Sequence, residues 1–495
     1  MASVSPAHAV LLNKDLLDII LIHLDVATIA GIRHCNRALE AAASPFLFRT
    51  LLLSTRKRHL RRLRRVAESE KFARGVRKIV WQTAHYGASA IENDPQGRYD
   101  HAIHFMLRLS GRQEDRSTKH TEQQHAATVN RYIRLGRDEV TARTDGNLKP
   151  MLLEAFSSMT GLKTVVIKVW SEGGDGMRRF FDLDAILPVN QTMPPPYHTL
   201  LSPKSASVKQ DQVFLTLLSA LSDAGRSLQR FGIESSDNRA LGRPDTQHFA
   251  VFPGMLIHFD HLSKTTLKHV TQPLRRLHSL HIDLADEDKA TSNIVQMYQC
   301  IGEGGLARFL ATLTSLEHLH VRIHTQCTIA GPFPAVHTVV VPLQKIFGSS
   351  VFPRLRRLSL DSLWLEPTEL CDLLLRHGAT LEQLTLANIN LGETGRGRQM
   401  TPGITTLLPP GQRFSHFLPT SPLPATEWTQ VARTCPELPK LQGLKIEAPS
   451  VSMDWCHLAV FDVEELVEMG IDGRDNTLSD GPPLDIWGCL EGSAV

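Results

Sequence analysis

The chain carries almost no net charge: Lys+Arg 54 against Asp+Glu 51 leaves +3. That removes any overall drive toward nucleic acid or an anionic membrane surface. No apolar run approaches the ~20 residues that span a bilayer. Met1 to Ala9 lacks the basic region and apolar core of a secretory signal, so none is expected. Cysteine is sparse. The seven (Cys35, Cys300, Cys327, Cys371, Cys435, Cys456 and Cys489) are scattered and odd in number, which predicts reduced thiols rather than a disulfide framework. The expected setting is intracellular, cytoplasmic or nuclear. With 42% apolar and 21% charged residues the composition is that of a globular chain, not a disordered one. A length of 495 residues exceeds one ordinary core, so two or more domains or an elongated repeat array are expected.

Chemical signatures are equally scarce. Gly173-Gly174-Asp175-Gly176 and Gly302-Glu303-Gly304-Gly305 lack the lysine and hydroxyl of a phosphate cradle and read as turns. No Gly-x-Ser-x-Gly elbow occurs. His34/Cys35, His324/Cys327 and Cys456/His457 are isolated pairs, none followed by a second at zinc-finger spacing. Cys35, among helical apolar residues, reads as a small core residue rather than a ligand. The sequence therefore predicts no catalytic residues, no cofactor and no metal site. His278, His281, His318, His320 and His324 alternate along predicted strands and are expected on one face. Partner recognition or pH response is one use of such a face, and a solvated surface is the more ordinary one.

What is present begins at Val10. Leu12, Leu16, Leu17, Ile19, Ile20 and Leu24 recur at helical spacing, with Asp15 favouring the helix start. A second helical segment runs from Val26 through Ile29, Ile32 and Cys35 to Leu39. Ser44-Pro45 reads as a helix break before Phe46-Leu47-Phe48 and Leu51 to Leu53. Some forty residues of this kind cannot bury much apolar surface alone. Arg56 to Arg65 holds seven Arg/Lys residues, with Leu60, Leu63 and Ala67 at core spacing. Phosphate contact or nuclear import is one reading of this block, and a basic solvated helix face is the favoured one.

From Val76 onward one pattern returns: apolar, two residues, apolar, one residue, apolar. It occurs at Val76/Ile79/Trp81, Leu162/Val165/Ile167, Leu228/Phe231/Ile233, Leu277/Leu280/Ile282, Leu316/Leu319/Val321, Leu355/Leu358/Leu360, Leu381/Leu384/Leu386 and Leu441/Leu444/Ile446. The starts at 277, 316 and 355 are 39 apart, and the next step, to 381, is 26. The shorter interval falls in the range of leucine-rich repeats, each a strand plus a helix. Between Leu355 and Leu381, Pro367 suits a first helical turn. Leu370, Leu373 and Leu374 share a face, and Gly378 ends the helix. Segments 111–128, 187–210 and 392–424 lack periodicity and read as insertions, and 473–495 as a weakly structured tail. Pro194-Pro195-Pro196-Tyr197 matches a Pro-Pro-x-Tyr ligand for WW domains, so Pro194, Pro195 and Tyr197 are candidate contacts.

The order of elements resembles the fungal F-box protein family. The resemblance rests on Leu12 with the helix Asp15–Leu24, Ile29–Leu39 ending in Asn36-Arg37-Ala38-Leu39, and Ser44 to Leu51. Phe72 to Trp81 is similar to the segment that leads into leucine-rich repeats in many members. The family's usual Leu-Pro is Leu12-Asn13 here, and Asn13 retains the ability to cap a helix. The likeness is close over about the first eighty residues and looser to about Asp462. It implies an α/β chain: a flexible start (1–9), a small helical module (10–53), a basic helix and first strand (54–90), then a leucine-rich-repeat-like solenoid of strand–helix units with irregular insertions (91–472). It also implies a substrate-recognition adaptor of a cullin–RING, SCF-type ubiquitin ligase. Leu12, Leu16, Ile20, Leu24, Ile32 and Cys35 would dock on a Skp-type linker, and the repeats would bind an unidentified target protein. The alternatives are an F-box scaffold outside any ligase, or a nuclear nucleic-acid-associated protein using segment 56–65.

Overall fold

The computed structural model describes residues 14–83, 146–168, 207–234, 262–284, 304–323, 326–329, 335–338, 343–361, 363–387, 389–391 and 433–447, with a few single positions besides. The candidate WW ligand at Pro194–Tyr197, the Gly111–Thr128 and Gly392–Pro424 segments, the tail, Leu12, Asn13 and His324 lie outside the described residues. Contacts divide the chain into two compact units: Met1–Gly232 with Gln272–Leu274, and Ile233–Thr271 with Arg275–Val495.

The first unit opens with three helices: α1 (Lys14–His23), α2 (Val26–Ile32) and α3 (Arg37–Leu47). The segment expected to be one helix from Val26 to Leu39 is therefore broken. Asp25 caps α2, its Oδ1 accepting from Thr28 N–H at 2.9 Å. Asn36 caps α3 by accepting from Leu39 N–H at 2.8 Å. Two strong cap formers eleven residues apart specify two helix starts rather than one. The expected break at Ser44-Pro45 does not occur, because Pro45 sits in the last turn of α3. There it forfeits a single helical bond. Ser44 is buried and donates to the Glu40 carbonyl at 2.5 Å.

Thr50–Leu53, which belonged to the segment expected to be helical, is strand β1. It pairs in parallel with β2 (Lys78–Gln82), Leu51 opposite Ile79 and Leu53 opposite Trp81. A short apolar run does not distinguish strand from helix by periodicity, so the sequence does not declare β1. Between them lie α4 (Lys57–Glu68) and α5 (Glu70–Gly75). α6 (Leu148–Ser158), β3 (Thr164–Lys168), α7 (Ser207–Asp223) and β4 (Arg230–Glu234) follow. Residues 207–210, expected within an insertion, thus open a helix. The unit boundary falls inside β4.

The second unit holds α8 (Lys264–Thr271), β5 (Ser279–Leu284), α9 (Gly305–Leu310) and β6 (His318–Ile323). An antiparallel pair, β7 (Gln326–Ile329) and β8 (Ala335–Thr338), precedes α10 (Leu343–Phe347). Then come β9 (Arg357–Asp361), β10 (Trp364–Leu365), α11 (Pro367–His377), β11 (Gln383–Ala387), β12 (Asn390–Leu391) and β13 (Gly443–Glu447). β10 and β12 form a small parallel pair. The class is α/β with nine parallel strands: β1, β2, β3 and β4 in the first unit, and β5, β6, β9, β11 and β13 in the second. In each unit their order in the sheet is their order in the chain.

Every appearance of the apolar pattern among the described residues coincides with one of these strands. Its first member is deeply buried in seven of the eight copies: Val76, Leu162, Leu228, Leu277, Leu316, Leu355 and Leu381 expose 3% or less, and Leu441 is half-buried. The carbonyl of the next residue receives two consecutive N–H groups from the following unit of the pattern. Lys163 and Thr164 donate to Arg77, Glu317 and His318 to His278, Arg356 and Arg357 to Glu317, and Glu382 and Gln383 to Arg356, all at 2.8–3.1 Å. A repeated apolar triplet thus specifies both an anchor in the core and the register of the next strand. Gly378 ends α11, as expected, but with an ordinary φ of −55°. Its smallness serves close packing, since a Cβ there would press on the Leu438 side chain. Gly304, by contrast, has φ +77° and caps α9, a left-handed position that glycine takes without strain, whereas Gly305, expected in a turn, opens the helix and Gly302 and Glu303 lie outside the described residues.

Candidate functional site

Two surfaces collect the residues capable of recognition or chemistry. The first is α1. Leu17 and Leu21 face inward onto Ile29 and Ala43, and Leu24, Ile32, Leu39, Ala42, Phe46 and Leu47 pack around this small core. Leu16, Ile19, Ile20 and Ile22 point the other way and remain 42–56% exposed. They form a second apolar stripe at i, i+3 and i+4 spacing, a pattern expected of a helix covered on both sides. Fully burying four such half-exposed side chains is worth on the order of 4 kcal/mol. Of the residues anticipated at a docking surface, Leu16 and Ile20 lie on this stripe. Cys35 is exposed, not a core residue as expected, because the turn after α2 carries it outward, its N–H bonding the Ile32 carbonyl at 3.1 Å. Leu24 and Ile32 are half-buried in the module's own core.

Behind this module, α4 presents Lys57, Arg61, Arg62, Arg64 and Arg65 outward and buries Leu60, Leu63 and Val66. His59 is buried with them. Arg58 Nε donates to its Nε2 at 3.3 Å, which leaves the ring proton on Nδ1 to meet Ser54 Oγ at 2.8 Å. Burial, reinforced by Arg58, Arg56 and Arg62, pushes the imidazole down to about 3, so His59 stays neutral.

The second surface lies in the second unit. Along β5 and β6 the residues Leu280, Ile282, Leu319 and Val321 enter the core, and the alternate positions form polar rows across the sheet. In one row His281, His320 and Ser359 are in register. In the next, Asp283, Arg322 and Asp361 are in register and buried. His281 and His320 stack at 3.9 Å between ring centroids. Both turn Nε2 toward the same carboxylate oxygen, Asp283 Oδ1, at 2.8 and 3.5 Å. His320 Nδ1 meets Ser359 Oγ at 2.9 Å. Arg322 pairs with Asp361 at 3.3 Å. Burial by itself would raise the Asp283 carboxyl. The hydrogen bonds from His281 and His320 outweigh it and hold the group well below the usual carboxylate range.

The expected shared histidine face is therefore real for His281, His318 and His320. His278 precedes β5, and its carbonyl receives the Glu317 and His318 N–H groups. Among the described residues, His281, Asp283 and His320 are the group whose three ligand-type atoms converge, all within 4.8 Å of one another. A search along the chain for paired ligands misses it, because two of the three are 39 positions apart and meet only through strand register. Ser359, His320 and Asp283 also stand in hydrogen-bonded sequence. Ser359 lies mid-strand, however, where backbone N–H groups are spent on the ladder and offer a developing oxyanion nothing. Cys371 and Cys435 are buried, and burial pushes their thiols up, Cys435 to about 11, which makes them poor nucleophiles. Among the described residues no helix is long and apolar enough to cross a membrane.

No protein-family model matches this chain, and comparison with curated proteins finds no matching sequence.

Proposed function

We propose that the chain is a non-catalytic substrate-recognition adaptor of a cullin–RING, SCF-type ubiquitin ligase, working inside the cell. The observation that carries this reading is the outward stripe of Leu16, Ile19, Ile20 and Ile22 on a helix whose opposite face already fills the core of a three-helix module. A Skp-type linker is the occupant that the F-box resemblance implies for such a stripe, and the resemblance adds Leu12, Cys35, Leu24 and Ile32 to its contacts, the last two half-buried in the module's own core. The parallel strand–helix units, read as a leucine-rich-repeat-like solenoid, would hold a target protein at a fixed distance from the conjugating enzyme. The adaptor's contribution to ubiquitin transfer would then be effective concentration alone. Affinity purification from the native cell, comparing the full chain with one lacking residues 1–47, tests this. A Skp-type protein and a cullin should co-purify with the full chain only. Recovery of the linker without cullin would favour a scaffold outside any ligase, and recovery of neither would reject the proposal.

A second reading draws on the five outward cations of α4, which could neutralise phosphates along one groove. Binding to DNA or RNA that falls steeply with salt and disappears on reversing Arg61, Arg62, Arg64 and Arg65 would favour it.

A further inference from the structure

We propose that His281, Asp283 and His320 form a binding site for a divalent transition-metal ion, with zinc the reference ion. Two imidazole nitrogens and one carboxylate oxygen make a borderline donor set, which suits zinc better than calcium or magnesium. Geometry supports it. Zinc bonds of about 2.0–2.1 Å in a tetrahedron place neighbouring ligand atoms about 3.3 Å apart. His320 Nε2 stands 3.5 Å from Asp283 Oδ1 and His281 Nε2 2.8 Å from it, and the two rings, stacked at 3.9 Å, turn out of their stack on binding so that both Nε2 lone pairs meet at one ion.

The surroundings match the charge. Two buried carboxylates, Asp283 and Asp361, and one buried guanidinium, Arg322, lie beneath two partly exposed imidazoles. A proton shared at Oδ1 serves one ring, whereas a dication engages both rings and the carboxylate together. Binding requires both Nε2 atoms unprotonated, which moves each ring proton to Nδ1. On His320 that proton has an acceptor waiting in Ser359 Oγ at 2.9 Å, the kind of outer hydrogen bond that orients a ligating histidine. His281 and His320 keep about a quarter of their side-chain surface exposed, so the fourth position opens to solvent, for water or for a side chain of a bound protein. The site does not depend on the ligase reading.

The test is calorimetric titration of the chelator-stripped, reduced full-length protein with zinc chloride at pH 7.5, paired with the visible spectrum after cobalt(II) is added instead. One equivalent should bind, and cobalt should give a nitrogen/oxygen spectrum without a thiolate charge-transfer band. His281→Gln and His320→Gln should each weaken binding at least tenfold, and Ser359→Ala about tenfold, with circular dichroism unchanged. His281 is partly exposed, so its variant decides the matter even if Asp283→Asn fails to fold. Absence of saturable zinc binding, undiminished affinity in His281→Gln and His320→Gln, or a thiolate band would overturn the proposal.

Discussion

Gly75 sits where α5 meets the end of α3, and a Cβ there would run into the Pro45 backbone carbonyl. Backbone cannot yield as a side-chain tip can, so Gly75→Ala should cost about 1–3 kcal/mol, read as a lower urea midpoint. Gln82 presents the opposite case. It is 2% exposed on β2, and among the described residues neither its amide oxygen nor its nitrogen has a hydrogen-bond partner. An unpaired buried amide costs about 1–3 kcal/mol. Gln82→Met, similar in volume, should therefore raise the thermal midpoint, and a fall would mean that the amide is satisfied. His59 makes stability depend on pH. Its folded value of about 3 lies below the ordinary 6.5, so its contribution is complete above pH 6.5 and drains away as pH falls toward 3. At pH 4.5 the loss amounts to about 2–3 kcal/mol. Between pH 7 and 4.5, His59→Gln should lose less unfolding free energy than the parent chain. Equal slopes would contradict a neutral, buried His59.

At the scale of elements, the strands were the legible part. An apolar triplet repeated from Val76 to Ile446 coincides with β2, β3, β4, β5, β6, β9, β11 and β13, because each triplet supplies both the core contact and the ladder register. Helix punctuation was less legible. Pro45 reads as a breaker until its place in the last turn of α3 is known, and β1 has too few residues to declare a period. The outward stripe of α1 was half legible: the F-box resemblance pointed to Leu16 and Ile20, but distinguishing Leu24 and Ile32 from them needed the fold of α2 and α3 over α1. The histidine–aspartate set was not legible as a set, since its members are joined by pairing across strands. Leu16→Asp and Ile20→Asp replace half-exposed side chains inside a helix, so each should cost about 1–2 kcal/mol of stability and leave the fold in place. Either one placed on the stripe should nevertheless abolish docking.

For the whole molecule, a three-helix module with its own small core stands at the head of strand–helix units whose sheet order follows the chain. β1 joins the sheet from within the segment that would otherwise count as module, so the helical module ends at Leu47 rather than at Leu53, while α3 still packs on α5 through Pro45 and Gly75. A chain beginning at Phe48 keeps β1 and its pairing with β2, and it should still unfold cooperatively, with a far-ultraviolet helical signal reduced by the three missing helices. Removal through Leu53 strips the edge strand from β2 and should lower the thermal midpoint further. The decisive measurement is the affinity of the purified full-length protein for a purified Skp-type linker, by titration calorimetry, beside the Leu16→Asp/Ile20→Asp double variant. If the outward stripe of α1 is a docking face, the parent chain binds one linker and the double variant binds at least a hundredfold more weakly with its fold intact. Failure of the parent chain to bind, or equal binding by both, would contradict it.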